Sequence, residues 1–297
     1  MRIKKILLEA IFLTLIFSSV LASGKKDFRT EKIFLWQGVG GMQSELSLMT
    51  AFFPDKPNGT SVIICPGGSY HHLGVENEGN TTARWFCQKG VTAFVLEYRT
   101  AKDGYHYPAM MQDLQRAIQI VREKSELWDL SKDRLGLIGF SAGGHLVAWQ
   151  AEHSQDTDCL TPLGITVTES LTPNFVIPVY PVVSMQDDIA HRWSRKSLLG
   201  SAPTQDKKDS FSLELTVPDK MPPIYLVACH NDPVVLFENS ERLYAALKSK
   251  NIDCTFAQYE WGGHGFGMSE NRFMKAFKWN EALELWLIQK GFLSDGV

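Results

Sequence analysis

The sequence predicts an α/β fold, a mainly parallel central sheet with helices on both faces. Three observations carry this. Short apolar runs rich in β-branched residues alternate with segments of helical periodicity. One run, Leu135 to Ile138, leads directly into Gly139-Phe140-Ser141-Ala142-Gly143, a Gly-x-Ser-x-Gly turn between a strand and a helix. An aspartate and a histidine then follow later strands in the order such a serine requires, at Asp232 and His264.

In chain order, the first 22 residues stand apart. Arg2, Lys4 and Lys5 precede an apolar stretch from Ile6 to Val20, and Leu21-Ala22-Ser23 supplies small residues for cleavage. This is the layout of a signal peptide over 1–22, and it predicts a secreted or periplasmic protein with one catalytic domain over 23–297. The apolar stretch is short for a membrane anchor, so no membrane association is expected once it is removed. Residues 23–30 are polar and read as a flexible mature N-terminus. Leu46–Phe53 reads as a strand closed by the turn cluster Pro54 to Gly59. Ser61–Cys65 is a buried strand that runs into Pro66-Gly67-Gly68-Ser69-Tyr70. Glu76–Lys89 is helix-compatible, and Val91–Tyr98 is again strand-like. Met110, Leu114, Ala117, Ile118 and Val121 recur at helical spacing.

After the serine turn, strands are expected at Phe175–Val183, Ile224–Cys229 and Thr255–Tyr259. Leu236–Lys250 reads as a helix, and Phe273 to Leu287 as a C-terminal helix. Two long connections, 153–173 and 184–222, invite a lid-like role. The second is polar: Gln186-Asp187-Asp188, Arg192-Trp193-Ser194-Arg195-Lys196, then Thr204 to Ser210.

Composition bounds the function. The chain has 297 residues and a net charge of −3, so no positive field favours nucleic acid. With 44% apolar and 21% charged residues it suits a sizeable globular core. Five cysteines, at 65, 87, 159, 229 and 254, form no Cys-x-x-Cys and no zinc spacing. His71 and His72 are adjacent, and adjacent residues in a strand face opposite ways.

The chemistry follows from the serine. A hydroxyl is a weak nucleophile near neutral pH and needs a base within hydrogen-bond reach, itself oriented by a carboxylate. Parallel strands share their carboxyl ends, so loops after Ile224–Cys229 and Thr255–Tyr259 meet the serine turn at one sheet edge. These loops carry Asp232 and His264. Asp187, Asp188 and Asp219 compete as the acid but lie inside the 184–222 connection, and His230 competes as the base. The oxyanion of the transition state needs fixed N–H donors. One belongs to Ala142, after the nucleophile; the other belongs to the glycine turn at 66–70.

Several blocks resemble the secreted α/β-hydrolase esterases, and most closely acetyl esterase and acetylxylan esterase-like proteins, some with xylanase-like names. They are Pro-Gly-Gly-Ser-Tyr at 66–70, Glu-Tyr-Arg at 97–99, Tyr-Pro-Ala-Met at 107–110, Gly-Phe-Ser-Ala-Gly-Gly-His-Leu at 139–146, Tyr-Pro-Val-Val at 180–183 and Gly-Gly-His-Gly-Phe-Gly at 262–267. The likeness runs from about residue 31 to the C-terminus, and the serine and histidine blocks are its specific part. It implies the eight-stranded α/β-hydrolase fold, a Ser141–Asp232–His264 triad and a carbohydrate-ester substrate, with no metal or cofactor. The related lipase-type loop begins His-Gly-Gly-Gly. Pro66 and Ser69 replace its first and last residues here, which by position makes Gly68 and Ser69 the N–H donors.

The expectation is therefore a serine esterase that removes short acyl groups, acetyl foremost, from xylan-type carbohydrate. A peptidase or feruloyl esterase of the same fold is the alternative, and a non-catalytic hydrolase-like binding module the rival of another class. Tyr70, next to the oxyanion glycines, and Trp193 are the expected substrate contacts, with Trp261 beside His264 as a second indole for a sugar ring.

Overall fold

The computed structural model describes residues 28–43, 45 and 47–294. The proposed signal peptide lies outside them. Among the described residues, eight strands form one sheet in the order β1-β2-β4-β3-β5-β6-β7-β8. They are β1 (Phe28–Phe34), β2 (Leu48–Pro54), β3 (Ser61–Cys65), β4 (Thr92–Glu97), β5 (Leu135–Phe140), β6 (Phe175–Val179), β7 (Ile224–Cys229) and β8 (Cys254–Tyr259). β2 is antiparallel to both β1 and β4, and every other pairing is parallel. Central strands β3 and β5 are buried at every residue, as expected where helices cover both faces.

The helices are α1 (Thr81–Cys87), α2 (Ala109–Glu123), α3 (Ala142–His153), α4 (Arg192–Leu199), α5 (Gln205–Ser210), α6 (Leu213–Thr216), α7 (Glu238–Ser249), α8 (Arg272–Phe277) and α9 (Trp279–Gln289). Strand side chains alternate between two cores. Ile63, Leu137 and Val176 pack with Met110, Leu114 and Leu146 on one face. Val62, Ile138 and Ile177 pack with Phe86, Leu283 and Trp286 on the other. Among the described residues no helix is long and apolar enough to cross a membrane.

Three expectations need correction. Residues 28–30 are not a loose terminus: they begin edge strand β1, whose seven residues pair with β2 while only Ile33 is buried. A one-sided edge strand shows little apolar patterning, so composition concealed it. The segment read as one helix from Glu76 starts with a π-helical turn, Val75–Asn80, before α1. The C-terminal helix is two, broken where Lys278 adopts φ 47°, ψ 46°. Within the 184–222 connection lie α4, α5 and α6, with Leu198 and Leu213 fully buried. All five cysteines are free thiols.

Candidate active site

Ser141 sits between β5 and α3 at φ 53°, ψ −117°, a conformation an L-residue holds only when its surroundings enforce it. Three bonds do so. The Ser141 N–H donates to Val179 O at 2.9 Å, and its carbonyl accepts from the His145 and Val182 N–H groups, both at 3.1 Å. The glycines are sterically obligatory. A Cβ on Gly139 would lie 2.0 Å from Gly143 O, and one on Gly143 would lie 2.1 Å from Cys65 O.

The structure brings the three residues singled out in the sequence into one chain. His264 Nε2 lies 2.9 Å from Ser141 Oγ, and His264 Nδ1 lies 2.7 Å from Asp232 Oδ2. Asp232 is nearly buried, and its Oδ1 accepts from the Val234 and Val235 N–H groups at 2.8 and 3.0 Å. With both carboxylate oxygens engaged, Asp232 is fixed as an acceptor facing Nδ1. That selects the tautomer with Nδ1–H, which leaves Nε2 free to take the serine proton. The competing acids are elsewhere: Asp187 pairs with Arg195 and Lys208, Asp188 with Arg242, and Asp219 with Lys250, all at the surface. His230 stacks on Phe237 at 3.8 Å.

The carbonyls of the glycine turn are held by backbone bonds, which fixes the orientation of the Gly68 and Ser69 N–H groups. Peptide units are planar and trans, so holding a carbonyl aims the N–H of the same unit the opposite way. Gly67 O accepts from the Gly74 N–H at 2.9 Å, which orients the Gly68 N–H. Gly68 O accepts from the His71 and His72 N–H groups at 2.9 and 3.0 Å, which orients the Ser69 N–H. Gly68 has φ 133°, and a Cβ there would meet His72 O at 2.0 Å. Ser69 and Tyr70 follow at φ 59° and 58°. Gly68, Ser69, Ser141 and His264 all line one cleft of about 330 Å³. Ala142 opens α3 directly after Ser141, so its N–H is one of the helix's orphan donors. A larger cavity of about 530 Å³, lined by Pro54–Asn58 and Cys87–Gly90, lies at the opposite edge of the sheet.

One expected substrate contact is overturned. Tyr70 is completely buried, and its hydroxyl meets His145 Nδ1 at 2.8 Å. His145 Nε2 faces Phe211 O at 2.9 Å and must carry its proton there, so Tyr70 donates to Nδ1. Burial keeps this imidazole neutral by lowering its pKa to about 4. The positive φ at Ser69 and Tyr70 carries the Tyr70 side chain inward, where it fastens the glycine turn to α3. Trp193, on α4, is half exposed and lies 5.2 and 5.7 Å from the His71 and His72 rings. His72 lines the cleft, so this aromatic group stands at its rim. His71 and His72 occupy a turn and share one neighbour, contrary to the strand reading. Trp261 packs on Phe273 and Phe277, with Arg272 over its ring.

Sequence reasoning missed several residues that hold the site. Asn231 Oδ1 accepts from the Gly262 and Gly263 N–H groups at 3.0 and 2.9 Å, tying the histidine loop to the turn that carries Asp232. The Tyr180 ring lies 4.7 Å from that of His264. Buried Glu78 accepts from the Gly67 N–H and the Tyr180 hydroxyl, both at 2.7 Å. Adjacency of Asn231 to Asp232 was the one available signal; nothing in spacing marks Glu78.

The family model described as BD-FAE matches residues 51–247. The chain belongs to the BD-FAE family. Among its curated relatives, an acetylxylan esterase of Xylanibacter ruminicola is 30% identical over 239 residues, 79% of this chain and 46% of that protein. The endo-1,4-beta-xylanase B of Butyrivibrio fibrisolvens is 30% identical over 222 residues, 74% of this chain and 34% of that protein. The chain thus spans less than half the length of these two relatives. A crystal structure of an acetyl ester-xyloside bifunctional hydrolase from Caldicellulosiruptor lactoaceticus superposes with a TM-score of 0.79 at 29% identity, covering 90% of this chain and 98% of that one. This BD-FAE member has the α/β-hydrolase fold, and its sheet order and serine elbow are the local expression of that architecture.

Proposed function

We propose that the protein is a serine esterase that removes short acyl groups, acetyl foremost, from xylan-type carbohydrate. The observation that carries this reading is the hydrogen-bonded chain Ser141–His264–Asp232 opening on a cleft also lined by Gly68 and Ser69. Ser141 Oγ attacks the ester carbonyl as His264 Nε2 takes its proton. The carbonyl oxygen, now anionic, accepts from the N–H groups of Ala142, Gly68 and Ser69. His264 then returns the proton to the departing sugar hydroxyl, and water repeats the sequence on the acyl-enzyme.

The substrate class draws support from the relatives, one an acetylxylan esterase and one an acetyl ester-xyloside hydrolase. It also draws support from the rim, where the indole of Trp193 with His71 and His72 offers flat apolar faces beside polar edges, suited to a sugar ring. The cleft is small for a long acyl chain. We also infer export, on the charged and apolar pattern of residues 1–22.

The test is twofold. A fluorophosphonate probe should label the wild type and not Ser141→Ala. Acetate release from acetylated xylo-oligosaccharide should exceed release of ferulate or cleavage of peptide. An unlabelled wild type would mean that this serine is not an activated nucleophile.

A further inference from the structure

The molecule holds a second buried carboxylate against the site. Glu78 lies in the π-helical turn Val75–Asn80, and such turns often sit at functional sites. Its Oε2 accepts from the Gly67 N–H at 2.7 Å, and the same peptide unit is held at its other end, where Pro66 O accepts from the Tyr98 hydroxyl at 2.7 Å. Its Oε1 accepts from the Tyr180 hydroxyl at 2.7 Å, and that oxygen accepts in turn from the Gly267 N–H at 3.2 Å. The neighbouring Asn77 donates to Gly265 O at 3.2 Å. One turn therefore clasps both halves of the site, the oxyanion turn on one side and the histidine loop on the other. Glu78 also reaches the wall of the cleft itself.

We propose that Glu78 is a positioning residue of the reaction: as a carboxylate it locks the oxyanion turn to the histidine loop and stabilises the imidazolium that His264 becomes. This rests on the serine-esterase reading and extends it. The charged and titratable groups around His264 include Asp232 from the turn after β7, His191 capping α4, Tyr180 after β6, and Glu78 and His72 in the same cleft. Glu78 bonds the Tyr180 hydroxyl, whose ring packs on His264, holds one end of the peptide unit whose other end Tyr98 holds, and lines the same cleft as His264. Burial pushes its carboxyl above the usual range, while the bonds from Tyr180 and Gly67 and the nearby imidazole favour the anion. A buried carboxylate with no cation of its own is unfavourable. Proton transfer to His264 supplies that cation in the transition state, so the attraction grows as the reaction proceeds.

The test is kinetic. Glu78→Gln keeps the shape and removes the charge. With 4-nitrophenyl acetate its kcat should fall by about 10- to 100-fold, with KM within about threefold of wild type. The acid limb of its kcat/KM profile should move to lower pH by about half a unit, because the imidazolium loses a stabilising neighbour. Tyr180→Phe keeps the charge and cuts the link, so kcat should fall without that displacement. Unchanged kcat in Glu78→Gln, or a loss of thermal stability with the acid limb in place, overturns the proposal. Should Glu78→Gln not fold, Tyr180→Phe decides: about a tenfold loss of kcat supports the linkage, and wild-type kcat refutes it. An inactive wild type that takes no fluorophosphonate would instead refute the esterase reading.

Discussion

Replacing Asp232 by asparagine separates the orienting role of the acid from its mere presence. Asp232 Oδ1 holds two backbone N–H groups, from Val234 and Val235, and Oδ2 holds His264 Nδ1. An asparagine has one acceptor oxygen. If that oxygen stays with the two backbone donors, its NH₂ group points at Nδ1 and forces the proton onto Nε2, where the imidazole can no longer accept from Ser141. Turning the amide over restores the working tautomer but breaks two hydrogen bonds in a nearly buried place, at about 1 kcal/mol each or somewhat more. A preference of about 2–3 kcal/mol leaves the working tautomer outnumbered by roughly 30- to 150-fold. Loss of the charge opposite the imidazolium lowers the rate further, for a total of about 10³- to 10⁴-fold in kcat. KM should change little. Steady-state hydrolysis of 4-nitrophenyl acetate measures both, and a thermal melt checks that the fold persists. An Asp232→Asn enzyme with a tenth of wild-type kcat would refute the argument. So would an equal loss in Asp187→Asn or Asp219→Asn.

Ser141→Ala should melt close to wild type yet lose about 10⁴-fold or more in turnover, and a variant keeping a tenth of the activity would remove Ser141 as nucleophile. Rates on one chromogenic alcohol should fall from acetyl to butyryl to octanoyl, and an octanoyl ester cleaved faster than acetate would end the short-acyl reading. Trp193→Ala should slow acetylated xylo-oligosaccharide more than 4-nitrophenyl acetate, and equal losses on both would exclude a sugar contact. His145 is held neutral, so the unfolded chain binds a proton there that the folded one refuses: its contribution is intact above the unfolded pKa near 6.5 and is eroded as pH falls toward about 4, by about 3 kcal/mol at the limit. Buried Glu152 and half-buried Glu214, both raised by desolvation, act with opposite sign. The comparison must therefore be wild type against His145→Gln in denaturant at pH 7 and pH 4.5, and an identical pH dependence would refute it.

What the sequence made legible was whatever short-range physics dictates. Strands β3, β5 and β7 are buried on both faces, so apart from Ser61 they appear as runs without polar side chains except the Tyr225 hydroxyl, and β7 ends at Cys229 as the sequence predicts. Gly139 and Gly143 announce the elbow because their missing side chains are forced by contacts within one turn and with the next strand. The order of serine, aspartate and histidine followed from parallel strands sharing an edge. Strand β1 left no such mark, since half its surface is solvent and its partner lies across a loop. Tyr70 was misplaced for a related reason. Sequence puts it beside the oxyanion glycines, but consecutive left-handed residues at 69 and 70 turn its ring into the core, and backbone handedness is not written in residue type.

The same distinction explains why one carboxylate of the site was readable and another was not. Asp232 falls where a strand delivers its loop to the serine, so topology alone nominates it. Glu78 stands in a stretch whose letters, Val-Glu-Asn-Glu-Gly-Asn, read as a solvated helix start, and an acidic first turn is what a helix dipole favours anyway. Its distinction is its depth. The turn is wound as a π-helix, Gly79 tucks so close beneath β4 that a Cβ would lie 2.7 Å from Val95, and Glu78 is thereby held inward among Gly67, Tyr180 and the histidine loop. Its neighbour Glu76, two residues earlier, bonds Asn80 and Arg84 at the surface, as such a letter ordinarily would. Two glutamates in one turn thus have opposite surroundings, and only the contacts made by residues about 100 positions away, such as Tyr180, tell them apart.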